Sequence, residues 1–266
     1  MNITLERPYA ICEKGGRINN EDFVFPPSES VEPDQKLFIV CDGVGGGEKG
    51  EIASSLACES FQTFFSTFLD GNLTEEFIRK AIQYTEVRFD DYVVHHPEAK
   101  GMATTLTMLY LSESGITVAH VGDSRIYQFR NGKIIYRTED HSLVNSWLKA
   151  GVITAEEAQN HPRKNIITRA IQDSEHPTEA DVALLTDICP GDYFLLCTDG
   201  VTDCLSDDTL SKFFSTNSAE NIKDAIVESC SRKARDNYSF YLLPIQQIQT
   251  SSSYKQYILS FLYSFI

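Results

Sequence analysis

The stretch Ile116–Tyr136, ITVAHVGDSRIYQFRNGKIIY, holds three short runs of aliphatic, β-branched and aromatic residues separated by turn residues. Such runs predict β-strands at Ile116–Val121, Arg125–Arg130 and Lys133–Tyr136. Asn131-Gly132, between the last two, favours a two-residue hairpin turn. Because a hairpin reverses the chain, neighbouring strands are expected to be antiparallel, which disfavours a purely parallel sheet.

The same patterns extend in both directions from this stretch. Four more strands are predicted, at Leu37–Cys41, Thr104–Leu111, Tyr193–Cys197 and Tyr238–Leu243. Helical periodicity covers Ile52–Leu69, Glu75–Val93, Leu143–Ala150, Ala155–Asn160, Asp207–Phe214 and Ala219–Ala234. Thr74, Ser206, and Thr154 with Glu157 supply N-terminal capping chemistry. Strand and helix blocks alternate in pairs, which favours a layered α+β domain over repeated βαβ units.

Composition restricts the function. The 266 residues include 38 Asp and Glu against 23 Lys and Arg, a net charge of −15 without a basic patch, which disfavours nucleic-acid or membrane-surface binding. No secretory signal is recognised at the N-terminus. Seven irregularly spaced cysteines without C-x-x-C disfavour a disulfide framework and a zinc ribbon. A cytoplasmic location and no nucleic-acid partner are expected.

The tail Tyr254–Ile266, YKQYILSFLYSFI, is apolar but has only 13 residues. A bilayer-spanning helix needs about 20 residues, so no transmembrane segment is predicted. The tail could be a terminal helix docked on the core, an interfacial anchor or a partner-binding segment.

Acidic residues border several predicted strands. Asp42, Asp123 and Asp199 follow apolar runs, Asp236 precedes one, and Glu21-Asp22 lies near the N-terminus. Clustered carboxylates repel one another unless a cation or a proton lies between them. Mg²⁺ and Mn²⁺ prefer such oxygen ligands. The alternative is that the acids are scattered around the fold as solvated turns.

Seven ordered segments carry a resemblance to a known family. They are GGRINNEDFVF (Gly15–Phe25), FIVCDGVGGGEKGEIAS (Phe38–Ser54), GMATTLTMLYL (Gly101–Leu111), VAHVGDSRIYQFRNGKI (Val118–Ile134), DHSL (Asp140–Leu143), GDYFLLCTDGVTDCLSD (Gly191–Asp207) and ARDNYSF (Ala234–Phe240). In order and spacing the set resembles the metal-dependent protein phosphatases of type 2C, in their compact bacterial form.

The resemblance implies a four-layer αββα sandwich, in which two antiparallel sheets are flanked by helical pairs. It places the catalytic domain at residues 1–243 and leaves 244–266 as an apolar tail of unassigned role. The segment from Ser142 to Ala170 resembles the mobile flap beside the family's active site, which would influence substrate choice.

The resemblance also implies a metal centre with two Mn²⁺ or Mg²⁺ ions. Asp42 would lie between the ions, with Glu21 and the Gly43 carbonyl on one ion and Asp199 and Asp236 on the other. Asp123 and Asp203 match positions that hold a third, weaker ion. Asp22 and Asn237 would support these ligands from behind. Arg17 matches the residue that binds the substrate phosphate, a task suited to its planar fork of donors.

The implied reaction is hydrolysis of phosphoserine or phosphothreonine on proteins by a water bridging two metal ions, with no phosphoenzyme. Asp42, Asp199 and Arg17 would be its catalytic residues. A general acid is not evident, because Val44 stands where some relatives have a histidine. The expected partners are phosphoproteins, in opposition to a Ser/Thr kinase, and the expected oligomeric state is a monomer.

Other functions have less support. The glycine-rich loop 45–50 fits G-x-G-x-x-G, but Asp42 beside it would repel a pyrophosphate and another helix follows instead of a second strand. No cysteine has an arginine six positions on, as a thiol phosphatase requires, and neither G-x-S-x-G nor a zinc-binding histidine spacing occurs. A catalytically weak or dead relative that binds phosphoproteins remains the alternative.

Overall fold

A computed structural model describes residues 2–27, 31, 34–45, 48–71, 73–159, 161–216 and 218–249. Within these ranges lie twelve strands: β1 (Asn2–Leu5), β2 (Tyr9–Glu13), β3 (Asp22–Phe25), β4 (Leu37–Val44), β5 (Ala103–Thr104), β6 (Leu106–Ser112), β7 (Gly115–Val121), β8 (Arg125–Arg130), β9 (Lys133–Arg137), β10 (Asp181–Leu185), β11 (Tyr193–Cys197) and β12 (Tyr238–Gln249). The α-helices there are α1 (Glu48–Phe68), α2 (Glu75–His95), α3 (Leu143–Lys149), α4 (Ala155–Gln159), α5 (Asp199–Thr202), α6 (Asp207–Thr216) and α7 (Ala219–Lys233). The predicted tail 254–266 lies outside the described residues.

The strands form two six-stranded antiparallel sheets. One has the order β1-β12-β11-β8-β9, with β2 also paired to β12, and the other has the order β10-β7-β6-β4-β3, with β5 also paired to β4. The predicted hairpin is present: Arg130 faces Lys133, and Asn131 and Gly132 have φ values of 50° and 74°. Positive φ at both central residues is what a turn matching the strand twist requires, and Asn-Gly supplies it at low cost.

Three apolar layers hold the sheets and helices together. The middle layer lies between the two sheets, where the rings of Phe38 (β4) and Tyr241 (β12) meet edge to face at 5.2 Å. A second layer joins α1 and α2 to the β4 sheet, and a third joins α6 and α7 to the β11 sheet. Each fully buried large side chain contributes about 1.5–3 kcal/mol. The order of helices, sheet, sheet and helices confirms the predicted four-layer αββα sandwich.

Helix starts follow the capping signals. Thr74 Oγ1 accepts a hydrogen bond from Phe77 N at the start of α2, and Thr154 and Glu157 form the predicted capping box before α4. The side chain of Ser206 accepts from Thr209 N before α6. Helix α1 begins at Glu48, four residues earlier than predicted, so the chain enters it almost directly from β4.

The sequence patterns missed four strands, β1, β2, β3 and β10. Each has only four or five residues, and β10, at an edge of its sheet, has no fully buried position. Runs this short are defined by hydrogen bonds to β4, β7 and β12, which local sequence does not specify.

Strand β12 extends beyond its predicted end. It starts at Tyr238 as expected but runs to Gln249, where it pairs with β1 through Asn2↔Gln249. The predicted domain boundary after Leu243 therefore falls within a strand. Within the described ranges, no helix combines the length and the apolar character needed to cross a bilayer.

Candidate active site

Four strand ends bring the predicted acids together. Asp22 opens β3 and faces Asp42 of β4 in the antiparallel register. Asp199 begins α5 two residues after β11, and Asp236 lies two residues before β12. A hydrogen bond of 3.0 Å from Thr198 N to Ser239 O joins these last two strand ends. Because β3 and β4 belong to one sheet and β11 and β12 to the other, the carboxylates meet where the two sheets approach.

The pKa values record how closely these carboxylates face one another. Burial, followed by the charges of Asp22, Asp199, Asp123 and Asp236, raises the pKa of Asp42 well above its usual value. Burial is also the largest cause for three others: it raises the pKa of Asp22 and of Asp123 to about 8, and that of Asp199 to about 6. Without a cation, the cluster therefore retains protons that ordinary carboxylates lose.

Two oxygen atoms, one from Glu21 and one from Gly43, converge beside Gly50 in the first turn of helix α1. A Cβ atom on Gly50 would lie 2.7 Å from Glu21 Oε2 and 2.8 Å from Gly43 O. The backbone of Glu21 is fixed here, because its carbonyl accepts hydrogen bonds from Gly43 N (3.0 Å) and Ser54 Oγ (2.6 Å). Only glycine at position 50 leaves the space between the two oxygens open.

Asn237 ties the N-terminal loop to the site. Its Nδ2 donates to Lys14 O (2.7 Å) and Asn19 O (2.8 Å), and its Oδ1 accepts from Glu21 N (2.9 Å). These three bonds use both N–H groups of the amide and one lone pair of its oxygen. Asn237 therefore orients the loop that carries Arg17 and Glu21.

Asp22 is almost fully buried and lies opposite Asp42 in the β3–β4 pairing. Its Oδ2 accepts a hydrogen bond of 3.0 Å from Thr198 Oγ1, which in turn accepts from Ser239 N. The backbone N of Asp42 donates to Thr105 Oγ1 (3.0 Å), and that hydroxyl contacts Ser124 Oγ at 2.8 Å. Thr105 and Thr198 were not singled out, although both lie inside motifs that were quoted.

Arg17 lies at the open side of the cluster. Its Nη2 donates to Asp236 Oδ2 at 2.6 Å, while half of its side chain remains exposed. The Asp236 carboxylate is held from its other oxygen by Asn237 N at 2.9 Å. The guanidinium therefore borders the carboxylates and retains donors that face solvent.

Asp203 and Asp123 flank the group. The backbone N of Asp203 donates to Asp199 O at 2.7 Å, which places Asp203 one helical turn from Asp199. Lys164, in the predicted flap, donates a hydrogen bond of 2.6 Å from Nζ to Asp203 Oδ1. Lys164 was missed, because no motif marks a lysine in an irregular segment. The ends of the flap are pinned by bridges that pair Ser142 with Ile167 and Thr104 with Ile171.

A second set of potential ligand atoms, on His120, His141 and Asp181, lies within 4.8 Å of one another. His141 Nδ1 accepts a hydrogen bond from Gly122 N (3.1 Å), so the neutral ring carries its proton on Nε2. Nε2 faces Asp181 Oδ2 at 3.3 Å, and Arg169 donates to the other oxygen of Asp181. These contacts occupy both ring nitrogens of His141, which therefore acts here as a structural hydrogen-bonding residue.

The donor set of the main cluster suits hard divalent cations. Its candidate ligands are carboxylates and one backbone carbonyl, without thiol or imidazole, and Mg²⁺ and Mn²⁺ prefer such oxygens. Cations there would also offset the repulsion that raises the pKa values. The residues present therefore fit divalent metal ions.

Comparisons with known proteins agree with this chemistry. A family model described as protein phosphatase 2C matches residues 15–229. A putative protein phosphatase 2C-type of Streptococcus pyogenes is 36% identical over 198 residues, covering 73% of this chain and 78% of that protein. The serine/threonine phosphatase stp of Listeria monocytogenes is 34% identical over 197 residues, 72% of each chain.

Solved structures are similar over nearly the whole chain. The Mycobacterium tuberculosis phosphatase PstP/Ppp superposes with a TM-score of 0.80 at 28% identity, covering 92% of this chain and all of that one. Stp1 from Staphylococcus aureus gives a TM-score of 0.80 at 29% identity, covering 93% and 98%. A PstP catalytic domain solved in complex with two manganese ions gives 0.77 at 27% identity, covering 92% and 100%.

Proposed function

Since this chain belongs to the protein phosphatase 2C family and is a metal-dependent serine/threonine phosphatase, we propose that its carboxylate cluster is the metal centre that hydrolyses phosphoserine and phosphothreonine on proteins. The observation that carries this proposal is the meeting of Asp22, Asp42, Asp123 and Asp199, with Asp236 beside them. Burial first, and then the charges of neighbouring acids, raise the pKa of Asp22, Asp42, Asp123 and Asp199.

The ligand assignment follows the arrangement of the oxygens. Asp42 is central, because the charges of four other acids act on it. Glu21 and the Gly43 carbonyl would hold one ion over Gly50, where their oxygens converge. Asp199 and Asp236 would hold a second ion. Mn²⁺ or Mg²⁺ fits all of these oxygens.

A third, weaker ion would use Asp123 and Asp203. In the structure Lys164 is paired with Asp203, so this ion would have to compete with the Lys164 ammonium. Asp22 and Asn237 would act as supports that fix Asp42 and the loop carrying Glu21.

The chain's own groups supply positioning for the reaction. The bound ions would lower the pKa of a water molecule and offset negative charge on the phosphoryl oxygens. Arg17 would bind the phosphate with the donors that Asp236 leaves free, and so hold the phosphorus in line for attack. Its bond to Asp236 orients the guanidinium before substrate arrives.

The proposal extends to the partners and the cellular location. The substrates would be phosphoproteins made by a Ser/Thr kinase, and the enzyme would act as a monomer in the cytoplasm. The seven cysteines are free thiols, and Cys58 Sγ donates to Cys41 Sγ at 3.7 Å. The catalytic domain would comprise residues 1–243 together with the rest of β12.

The deciding experiment is hydrolysis of p-nitrophenyl phosphate and a phosphothreonine peptide, with Mn²⁺, with Mg²⁺ and with EDTA. Wild-type protein should turn over both only with metal, and Asp199→Asn should lose at least about 100-fold in kcat. Asp91→Asn, an exposed acid on α2, is the matched control and should behave as wild type. A folded, metal-loaded protein that binds the peptide without turnover would instead be the phosphoprotein-binding module.

A further inference from the structure

A cleft of about 710 Å³ lies between the flap and the α5–α6 segment. Its lining includes Asp123 and Asp199, so it is continuous with the candidate metal centre. The flap contributes residues of α3 and α4, and the opposite side is formed by residues 202–208. A polypeptide whose phosphorylated residue lies at the metal centre would therefore have flanking residues within reach of this cleft.

The cations of the cleft are already neutralised by its own acids. Arg125 makes two hydrogen bonds of 2.7 Å to Asp140. The other two pairs, Arg137 with Asp207 (2.5 Å) and Lys164 with Asp203 (2.6 Å), follow the same pattern. Each lining cation therefore has an acidic partner in the structure.

Asp208 is an acidic residue of the cleft lining that is not part of these ion pairs. It is exposed in the first turn of α6, and among the described residues it has no cationic partner within salt-bridge distance. Asp123 and Asp199 also lack such a partner, but they belong to the candidate metal centre. The free charge of the cleft outside that centre is therefore negative and lies at Asp208.

Apolar surface accompanies this charge. Leu148 of α3 is 37% exposed and lines the cleft together with Ala155 and Ala158, and the buried Val144 and Leu205 also border it. Lysine and arginine carry long aliphatic stems that cover apolar surface while their charged ends reach an acid. Both features of the cleft therefore match a basic side chain.

We infer that this cleft binds the substrate segment next to the phosphorylated residue and selects a lysine or arginine there through Asp208. The inference rests on the proposed function, because it takes the carboxylate cluster as the site of hydrolysis. The ion pair between Asp208 and this basic residue would be exposed. It should therefore favour a basic over a neutral residue by about two- to fivefold in kcat/KM, and salt should weaken this preference.

The test uses phosphothreonine peptides in which a single arginine, alanine or glutamate occupies each flanking position in turn. For every variant, kcat/KM is divided by that of p-nitrophenyl phosphate, so a general loss of fold or metal cancels. In the wild type, arginine should be favoured at one position or at adjacent positions. Asp208→Asn should abolish this preference, and Asp208→Lys should transfer it to glutamate.

Two further variants sharpen the result. Glu220→Lys makes the same charge change in the first turn of α7, away from the cleft, and should keep the wild-type peptide profile. Leu148→Lys places a cation in the cleft from the flap and should weaken the arginine preference independently of α6. An unchanged profile in both Asp208→Lys and Leu148→Lys overturns the inference. Absence of metal-dependent turnover of p-nitrophenyl phosphate by the wild type would instead overturn the proposed function.

Discussion

Arg17 and Asp236 are joined by a hydrogen bond of 2.6 Å across the entrance of the carboxylate cluster. They come from opposite ends of the chain, and their side chains are 55% and 35% exposed. An ion pair this exposed contributes about 0–1 kcal/mol to the free energy of unfolding. The pair therefore orients Arg17 toward the site more than it stabilises the fold.

Replacing Arg17 with lysine should lower kcat/KM for phosphopeptides by roughly 10- to 100-fold. Lysine keeps the charge but loses the planar fork, so it cannot contact Asp236 and two phosphate oxygens together. Steady-state kinetics with a phosphothreonine peptide measure the loss, and thermal unfolding should be nearly unchanged. Arg79→Lys, which alters another exposed arginine paired with a carboxylate, is the control. Equal kinetics for the two variants would exclude Arg17 from phosphate binding.

Gly50→Ala should weaken metal binding, although alanine is the better helix former. Glycine to alanine inside a helix ordinarily stabilises a protein by about 0.4–1 kcal/mol. Here the new Cβ would lie 2.7 Å from Glu21 Oε2 and 2.8 Å from Gly43 O. We expect Mn²⁺ affinity, measured by calorimetry, to fall roughly tenfold or more. Ser55→Ala, on the same helix, is the control and should keep the wild-type Mn²⁺ affinity. Wild-type affinity in Gly50→Ala would show that Glu21 and the Gly43 carbonyl hold no ion.

Asn237→Ala should weaken both the fold and the site. The substitution leaves the backbone N of the half-buried Glu21 and the carbonyls of Lys14 and Asn19 without this partner. We expect the free energy of unfolding to fall by about 1–3 kcal/mol and Mn²⁺ affinity to fall about 10- to 100-fold. Denaturant unfolding and calorimetry measure the two effects. Asn221→Ala, on the exposed face of α7, is the control and should change neither the free energy of unfolding nor the Mn²⁺ affinity. If Asn237 had only a structural role, Asn237→Ala would leave the Mn²⁺ affinity unchanged.

Without metal, stability should fall as pH rises. The pKa of Asp22 and of Asp123 is raised from 3.8 to about 8 in the folded protein. Between about pH 4 and pH 8 the folded state therefore binds protons that the unfolded state has released, so the free energy of unfolding decreases with pH. In EDTA, Tm should be lower at pH 8 than at pH 5.5. Mn²⁺ should raise Tm most at pH 8. A Tm in EDTA that rises with pH would contradict the raised pKa of Asp22 and Asp123.

Local sequence predicted those elements whose signals are local. The Asn131-Gly132 turn and the caps at Thr74, Thr154 and Ser206 appear where expected, because turn and cap geometry depends on neighbouring residues. Strands β1, β2, β3 and β10 were missed, because such short segments become strands only when a partner strand supplies their hydrogen bonds. The extension of β12 to Gln249 depends in the same way on β1.

For the site, the sequence by itself determined which carboxylates stand at strand ends and, through ordered motifs, which family they resemble. Only the tertiary structure decided that Lys164 of the flap pairs with Asp203, that Gly50 leaves room between two oxygens, and that Asp208 is the cleft acid without a cation. The physical reason is distance. Charge repulsion, hydrogen bonds and steric contact act over a few ångströms, and residues far apart in the chain reach that range only when the two sheets close on each other.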